Sequence, residues 1–261
     1  MQEDELFKNK IGVIGAGNIG RAIILKLLEK NYPYDNICLT YNGSIFTFNS
    51  IYDNNLVDMI SSNSEIVKIS SILVLAVPPQ SFKLIGDFNL DDDTLVISFM
   101  AGIKTEDIME QTGSANVVRI IPTGPDTIMN SEAVAGVYGD NEIAESLFEL
   151  LDIDYVKVDD EENMDYVAIA GCLPVVYCKV SPDSNECREA INMISEDFPD
   201  FKVLAKKCEK LVPENNHEEF INKFTTPGGV TQAILNGFLA GKSVYDSLLL
   251  GIERNRQLAK Q

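Results

Sequence analysis

Six consecutive apolar residues, Ile72, Leu73, Val74, Leu75, Ala76 and Val77, leave no polar face for solvent. The strand predicted here, 72–76, must be covered on both sides, as happens in a parallel sheet packed between helices. Other apolar runs of strand length, at 10–14, 36–41, 95–98, 117–121, 134–138 and 155–158, alternate with segments of helical periodicity. That rhythm predicts βαβ units joined into one doubly wound, mainly parallel sheet.

The pattern changes at Asp159, Asp160, Glu161 and Glu162, a charged stretch read as a solvated hinge. Beyond it no strand is predicted. A helical pattern runs from Asn163 through Ala170 towards Cys178, and further helices are expected over 185–194, 201–211, 218–224, 229–238 and 243–257. Pro182, Pro199, Pro213 and Pro227 punctuate them. The expected organisation is an α/β domain over 1–160 and a smaller all-helical domain over 161–261.

Composition removes several classes of function. Lys and Arg number 21 against 40 Asp and Glu, a net charge of −19, and such a surface repels nucleic-acid backbones and anionic membranes. No apolar run reaches the roughly 18 residues of a membrane span. The best candidate, 167–178, is shorter and carries Pro174. The acidic start (Met1, Gln2, Glu3, Asp4, Glu5) lacks the basic and then apolar pattern of a secretory signal, so a cytoplasmic protein is expected. The five cysteines, Cys38, Cys172, Cys178, Cys187 and Cys208, form no CxxC pair, and are read as reduced and structural, with no metal site.

Gly15, Ala16, Gly17, Asn18, Ile19 and Gly20 spell GxGxxG between the first predicted strand and an amphipathic helix. Gly15 permits the tight turn, Gly17 lets a pyrophosphate approach the backbone, and Gly20 lets helix and strand pack closely. The unpaired N–H groups and positive dipole of the helix start complete a dinucleotide cradle of the Rossmann type. At the end of the second strand, Tyr41, Asn42, Gly43 and Ser44 include no acid to hold a ribose diol. Asn42 and Ser44 are candidates for hydrogen bonds to a 2′-phosphate, so NADP(H) is expected, with NAD(H) as the alternative; plain turn residues would read the same way. Ala76, Val77 and Pro78 follow the third strand and should line the cofactor, since ligands lie outside the carboxyl ends of such strands.

A second glycine turn, Thr226, Pro227, Gly228, Gly229, Val230 and Thr231, precedes a helix in the C-terminal part. Its free N–H groups suit a small carboxylate, with the Thr231 hydroxyl alongside; a helix-capping turn alone would also explain the glycines.

GAGNIG at 15–20, LAVPPQ at 75–80, Ala101 with Gly102, the stretch Arg119–Pro125, Met164 with Asp165, and TPGGVT at 226–231 resemble pyrroline-5-carboxylate reductase in order and spacing. The resemblance covers almost the whole chain. It implies reduction of the C=N bond of 1-pyrroline-5-carboxylate to L-proline by NAD(P)H. It further implies a homodimer or higher oligomer built by interleaved helices, with active sites between one subunit's cofactor domain and its partner's helices. On this basis Pro122 lies at the nicotinamide, Gly228, Gly229 and Val230 hold the substrate carboxylate, and Thr231 hydrogen-bonds to the ring nitrogen as orienting group or proton relay.

The chain departs from the family around the substrate. Where the family reads MPNTP it has Ile121, Pro122, Thr123, Gly124 and Pro125, and where the family reads SGSGPAY it has Ala170 to Val176, with Cys172 in place of a serine. The family's AVKP lysine is Pro78, and the helix after Pro174 stops near Val180 before Ser181, Pro182 and Asp183. Two other readings therefore accompany the first: a reductase of another imine or keto acid, and a non-catalytic nucleotide-binding regulator. His217, the single histidine, is read as a solvated helix start, Asp91 to Asp93 as a solvated turn, Cys172 as a small buried residue, and Arg254 and Arg256 as partners of a helix dipole.

Overall fold

The computed structural model describes residues 3–86, 88–91, 93–258 and 260; Asp92, in the acidic run 91–93, falls outside them. Among the described residues seven strands form one sheet: β1 (Ile11–Ile14), β2 (Ile37–Thr40), β3 (Ile72–Leu75), β4 (Leu95–Ser98), β5 (Val117–Pro122), β6 (Val134–Tyr138) and β7 (Asp154–Val158). Their order is β2-β1-β3-β4-β5-β6-β7. All neighbours are parallel except β5 and β6, which pair antiparallel through Arg119–Tyr138 and Ile121–Gly136. Every residue of β1 to β4 is buried, as the unbroken apolar runs require.

The chain steps from β1 outward to β2 and then back across to β3, so the strand order reverses beside β1. The crevice at such a reversal is where an open α/β sheet receives its ligand. The helices of this part are α1 (Glu3–Leu6), α2 (Asn18–Glu29), α3 (Ile45–Asp53), α4 (Asn63–Ile69), α5 (Thr105–Thr112), α6 (Pro125–Met129) and α7 (Glu142–Leu150). They bury two apolar layers against the sheet, one around Ile23, Leu27, Val74 and Phe148, the other around Ile66, Leu73, Phe82 and Ile108.

Beyond β7 the described residues form no further strand. The helices are α8 (Met164–Ala170), α9 (Leu173–Lys179), α10 (Asn185–Asp197), α11 (Phe201–Cys208), α12 (His217–Phe224), α13 (Val230–Leu239) and α14 (Val244–Leu258). They share a third core of Val167, Ile169, Val176, Phe201, Leu204, Ile234 and Leu248, which reaches the sheet at Val134 and Val158. Among the described residues no helix is long and apolar enough to cross a membrane.

The single helix expected to run towards Cys178 is in fact two. Pro174 has no N–H, and its ring would collide with the Ala170 carbonyl in a continuous helix. The chain breaks at Gly171 and Cys172, and the Cys208 thiol donates to the Ala170 carbonyl (3.4 Å). The acidic stretch 159–162 is also not merely solvated. Glu161 accepts from the Arg119 guanidinium (2.7 Å) and from the N–H (2.7 Å) and hydroxyl (2.6 Å) of Thr105. Arg119 is 3% exposed, so this ion pair joins β5, α5 and the start of the helical part under cover. Glu162 pairs with Lys104 beside it.

Candidate active site

The three glycines after β1 have three different geometries. Gly15 has φ +108, and a Cβ there would lie 2.7 Å from the Ala76 carbonyl oxygen. A Cβ on Gly20 would lie 2.0 Å from the Gly15 carbonyl oxygen. A Cβ on Gly17 would meet nothing nearer than the Ala76 oxygen at 4.0 Å, so the space above it is open. Gly15 and Gly20 are thus demanded by the fold, whereas nothing in the protein requires Gly17 to lack a side chain. The open face above an uncapped helix start, with no acid in its first turn, fits the pyrophosphate of a dinucleotide. Arg21 stiffens the loop by donating to the Ala16 carbonyl (2.7 Å) and the Asn18 side chain (3.0 Å). The Gly15 N–H donates to the Thr40 hydroxyl (3.2 Å).

A cavity of about 450 Å³ opens from this cradle towards the helical part. On the sheet side it is lined by Gly17, Asn18 and Ile19, by Ala76, Val77 and Pro78, and by Phe99, Ile121 and Pro122. On the other side lie Cys172, Val175, Phe220, Phe224 and Thr231. Phe220 and Phe224 stack with ring centroids 4.2 Å apart. The Phe224 ring approaches Gly124 so closely that a Cβ there would sit 3.4 Å from it. Lys223 also faces the cavity, but Asp126 neutralises it at 2.7 Å. The hydroxyls of Thr123 and Thr127 face each other at 3.0 Å, and Thr127 donates to the Gly124 carbonyl (2.7 Å).

Cys172 and Thr231, 59 positions apart, meet at this wall with Sγ and Oγ1 3.3 Å apart. Burial pushes the Cys172 thiol pKa up to about 11, against a smaller opposing effect of the Thr231 hydroxyl, so it is a neutral thiol at ordinary pH. Cys172 is buried, as expected, and it also belongs to the cavity lining beside Thr231. Both residues belong to the chain that carries the cradle.

Several expected site residues lie elsewhere. Gly15 and Ala16 shape the turn beneath the cavity without lining it. Ser44 is the N-cap of α3, its hydroxyl accepting from the Thr47 N–H (3.2 Å), and Asn42 is exposed beside it. Gly228, Gly229 and Val230 are absent from the lining. The Gly228 N–H donates to the Gln232 side chain (2.5 Å) and the Gly229 N–H to the Thr226 carbonyl (2.9 Å), so two of the three expected carboxylate donors are taken. Arg254 does more than meet a helix dipole: its Nε donates to the Gly228 carbonyl (2.7 Å) and fixes the turn that presents Thr231. Arg256 pairs with Asp165, whose other oxygen accepts from Asn255 (2.6 Å). His217 opens α12 in an exposed position, with Nε2 2.9 Å from the Pro213 carbonyl oxygen. The aromatic wall of Phe220 and Phe224 escaped the sequence reading, although their spacing of four on one helix face was visible.

A mainly parallel sheet with a glycine cradle at its switch point and a helical part beside it defines a nucleotide-binding oxidoreductase of Rossmann type. The family model described as NADP oxidoreductase, coenzyme F420-dependent, matches residues 10–102. Over 269 residues the chain is 23% identical to the pyrroline-5-carboxylate reductase of Synechocystis sp., covering 97% of this chain and 99% of that one. A solved pyrroline-5-carboxylate reductase from Coxiella burnetii superposes with a TM-score of 0.61 at 20% identity, covering 97% of this chain and 99% of that one. The enzyme from Plasmodium falciparum, solved with NADP bound, gives 0.59 at 16% identity, covering 96% and 98%. The chain spans about half the length of the first curated relatives it matches, all named pyrroline-5-carboxylate reductase. The chain is thus similar to pyrroline-5-carboxylate reductases over nearly its whole length at low identity, and shares their fold.

Proposed function

We propose that the protein reduces the C=N bond of 1-pyrroline-5-carboxylate to give L-proline, using NADP(H) in preference to NAD(H). The observation that carries this reading is the meeting of Gly17, Ala76 to Pro78 and Thr231 around one cavity. A bound reduced nicotinamide supplies a hydride to the imine carbon, and the chain has to hold that carbon against it. Phe99, Ile121 and Pro122 form the sheet-side wall, and Phe220 and Phe224 exclude water on the other. Thr231 is the hydroxyl that reaches the cavity from α13, and it orients the imine nitrogen. NADP(H) is favoured because the end of β2 carries Asn42 and Ser44 and no acid to repel a 2′-phosphate.

A second reading, reduction of another imine or a keto acid, is favoured by one specific feature. The N–H groups of Gly228 and Gly229, proposed as the carboxylate clasp, already donate within the chain. Cytoplasmic residence and a homodimer belong to the same proposal. The dimer is supported by Leu239, 86% exposed at the end of α13, and by Met193 on α10, 47% exposed.

The test follows the absorbance of NADPH and of NADH as pyrroline-5-carboxylate is added, with Thr231→Ala alongside. Oxidation of NADPH faster than NADH is expected, and in the variant kcat should fall by roughly 100-fold with nucleotide affinity unchanged. Turnover of other cyclic imines or keto acids without turnover of pyrroline-5-carboxylate would favour the second reading. No oxidation with any of them would sink both.

A further inference from the structure

The hydrogen bonds around Cys172 run in one direction, and that direction decides what the cavity presents to a substrate. At the C-terminal end of α8 the Gly171 N–H donates to the Val167 carbonyl (3.0 Å) and the Cys172 N–H to the Ile169 carbonyl (3.0 Å). The Ala168 carbonyl between them receives the Cys172 thiol (3.4 Å). A carbonyl only accepts, so both contacts of the sulfur can be hydrogen bonds in only one way, with the single thiol proton on Ala168. The sulfur then meets the Thr231 oxygen with lone pairs alone, and the hydroxyl proton is the one that lies between them at 3.3 Å. With its proton turned to sulfur, the Thr231 oxygen offers lone pairs to the cavity.

We propose that Cys172 is a positioning residue that fixes Thr231 as a hydrogen-bond acceptor, so that the cavity selects a substrate presenting an N–H, namely a protonated imine. This rests on the reading of the cavity as an imine-reductase site. The chain of donors is then continuous: iminium N–H to the Thr231 oxygen, Thr231 O–H to the Cys172 sulfur, Cys172 S–H to the Ala168 carbonyl. A neutral imine or a ketone, which only accept, would require the Thr231 proton to turn away from the sulfur, and giving the Thr231 oxygen a donor in its place would take the thiol proton from the Ala168 carbonyl. Two other polar groups of the wall are engaged elsewhere. Thr127 is committed to Gly124, and the charge of Lys223 is answered by Asp126. Selection by protonation state is a matter of lone-pair direction, which neither residue would supply alone.

The inference can be tested without turnover. In infrared spectra of the whole protein, the band removed by Cys172→Ala is the S–H stretch of Cys172. It should lie low in frequency, as for a thiol donating to a carbonyl, and Thr231→Ala should leave it in place. A band that moves on Thr231→Ala would mean that the thiol donates to the hydroxyl, which overturns the proposal. Turnover gives the second arm: Cys172→Ala should lower kcat for imine reduction about tenfold with the KM for NADPH unchanged, and Cys172→Ser, which keeps an acceptor beside Thr231, should recover most of the loss. A native rate in Cys172→Ala, or no recovery in Cys172→Ser, contradicts the positioning role. If the wild-type protein reduces no imine while the infrared result holds, the functional reading fails and the hydrogen-bond direction stands.

Discussion

Gly17→Val is expected to abolish nucleotide binding while the protein stays folded. The two halves of that expectation come from one measurement of space: a Cβ at residue 17 meets no protein atom closer than 4.0 Å. A valine there costs the folded chain little, because Gly17 sits at φ −69 and ψ −166, an extended backbone that any residue adopts. The space its methyl groups take is the open face over the start of α2, where the proposed pyrophosphate contacts backbone N–H groups. The affinity for NADPH should fall by roughly 100-fold or more, equivalent to about 2.7 kcal/mol or more, with the thermal midpoint of the ligand-free protein unchanged. Calorimetric titration and a thermal scan read the two quantities separately. Unchanged affinity would refute the placement of the cradle. Gly20→Ala is the informative contrast, since its Cβ would lie 2.0 Å from the Gly15 carbonyl oxygen and should lower stability whether or not nucleotide is present.

Glu161→Ala should produce the largest loss of stability among these changes. It strands Arg119, which is 3% exposed and already has Nε buried without a partner. Removing one member of a covered ion pair costs about 3–5 kcal/mol, because the remaining charge stays out of water. The native pair also has a pH signature. Burial by itself would raise the Glu161 pKa, but the hydrogen bonds from Thr105 and Arg119 outweigh it and hold the carboxyl below its ordinary value. A depressed carboxyl contributes stability above its unfolded pKa of about 4.3, and the contribution is lost as pH falls through the lower folded value. Urea unfolding of wild type and Glu161→Ala should therefore differ by several kcal/mol at neutral pH, and the gap should narrow in acid below that value. Equal midpoints at neutral pH would show that Arg119 finds another partner.

What could be read from the sequence follows from how local the signal is. The strand expected at 72–76 is β3 at Ile72–Leu75, because the apolar run begins after Ser71 and is stopped by Pro78 and Pro79. The helix expected at 201–211 ends as an α-helix at Cys208 and tightens into a 3-10 turn to Leu211, a difference confined to its last turn. Pro174 does not by itself mark the break, since a proline is tolerated in the first turn of a helix, which is where it sits in α9. The antiparallel placement of β6 against β5 has no signature in either strand taken alone. The same holds for the pairs that build the site. Cys172 and Thr231 are 59 positions apart, Arg119 and Glu161 42, and Gly228 and Arg254 26. Each residue has an ordinary local explanation, as turn, hinge charge or helix end, and acquires its role only when the helical part folds against the sheet. The cradle was legible for the opposite reason: all three glycines lie within six residues and their demands are backbone geometry.

The proposed function requires the cradle and Thr231 to meet in one site, and the cavity brings them together within one chain. The direct measurement mixes two inactive variants, Gly17→Val and Thr231→Ala, under conditions that let subunits exchange, and assays imine reduction after sedimentation has established the oligomer. With the site complete in each chain, every subunit of the mixture carries a damaged site, and the mixture is predicted to remain as inactive as its parts. Recovery of about one quarter of the native rate, the share of undamaged sites expected from random dimers with sites shared between subunits, would contradict it.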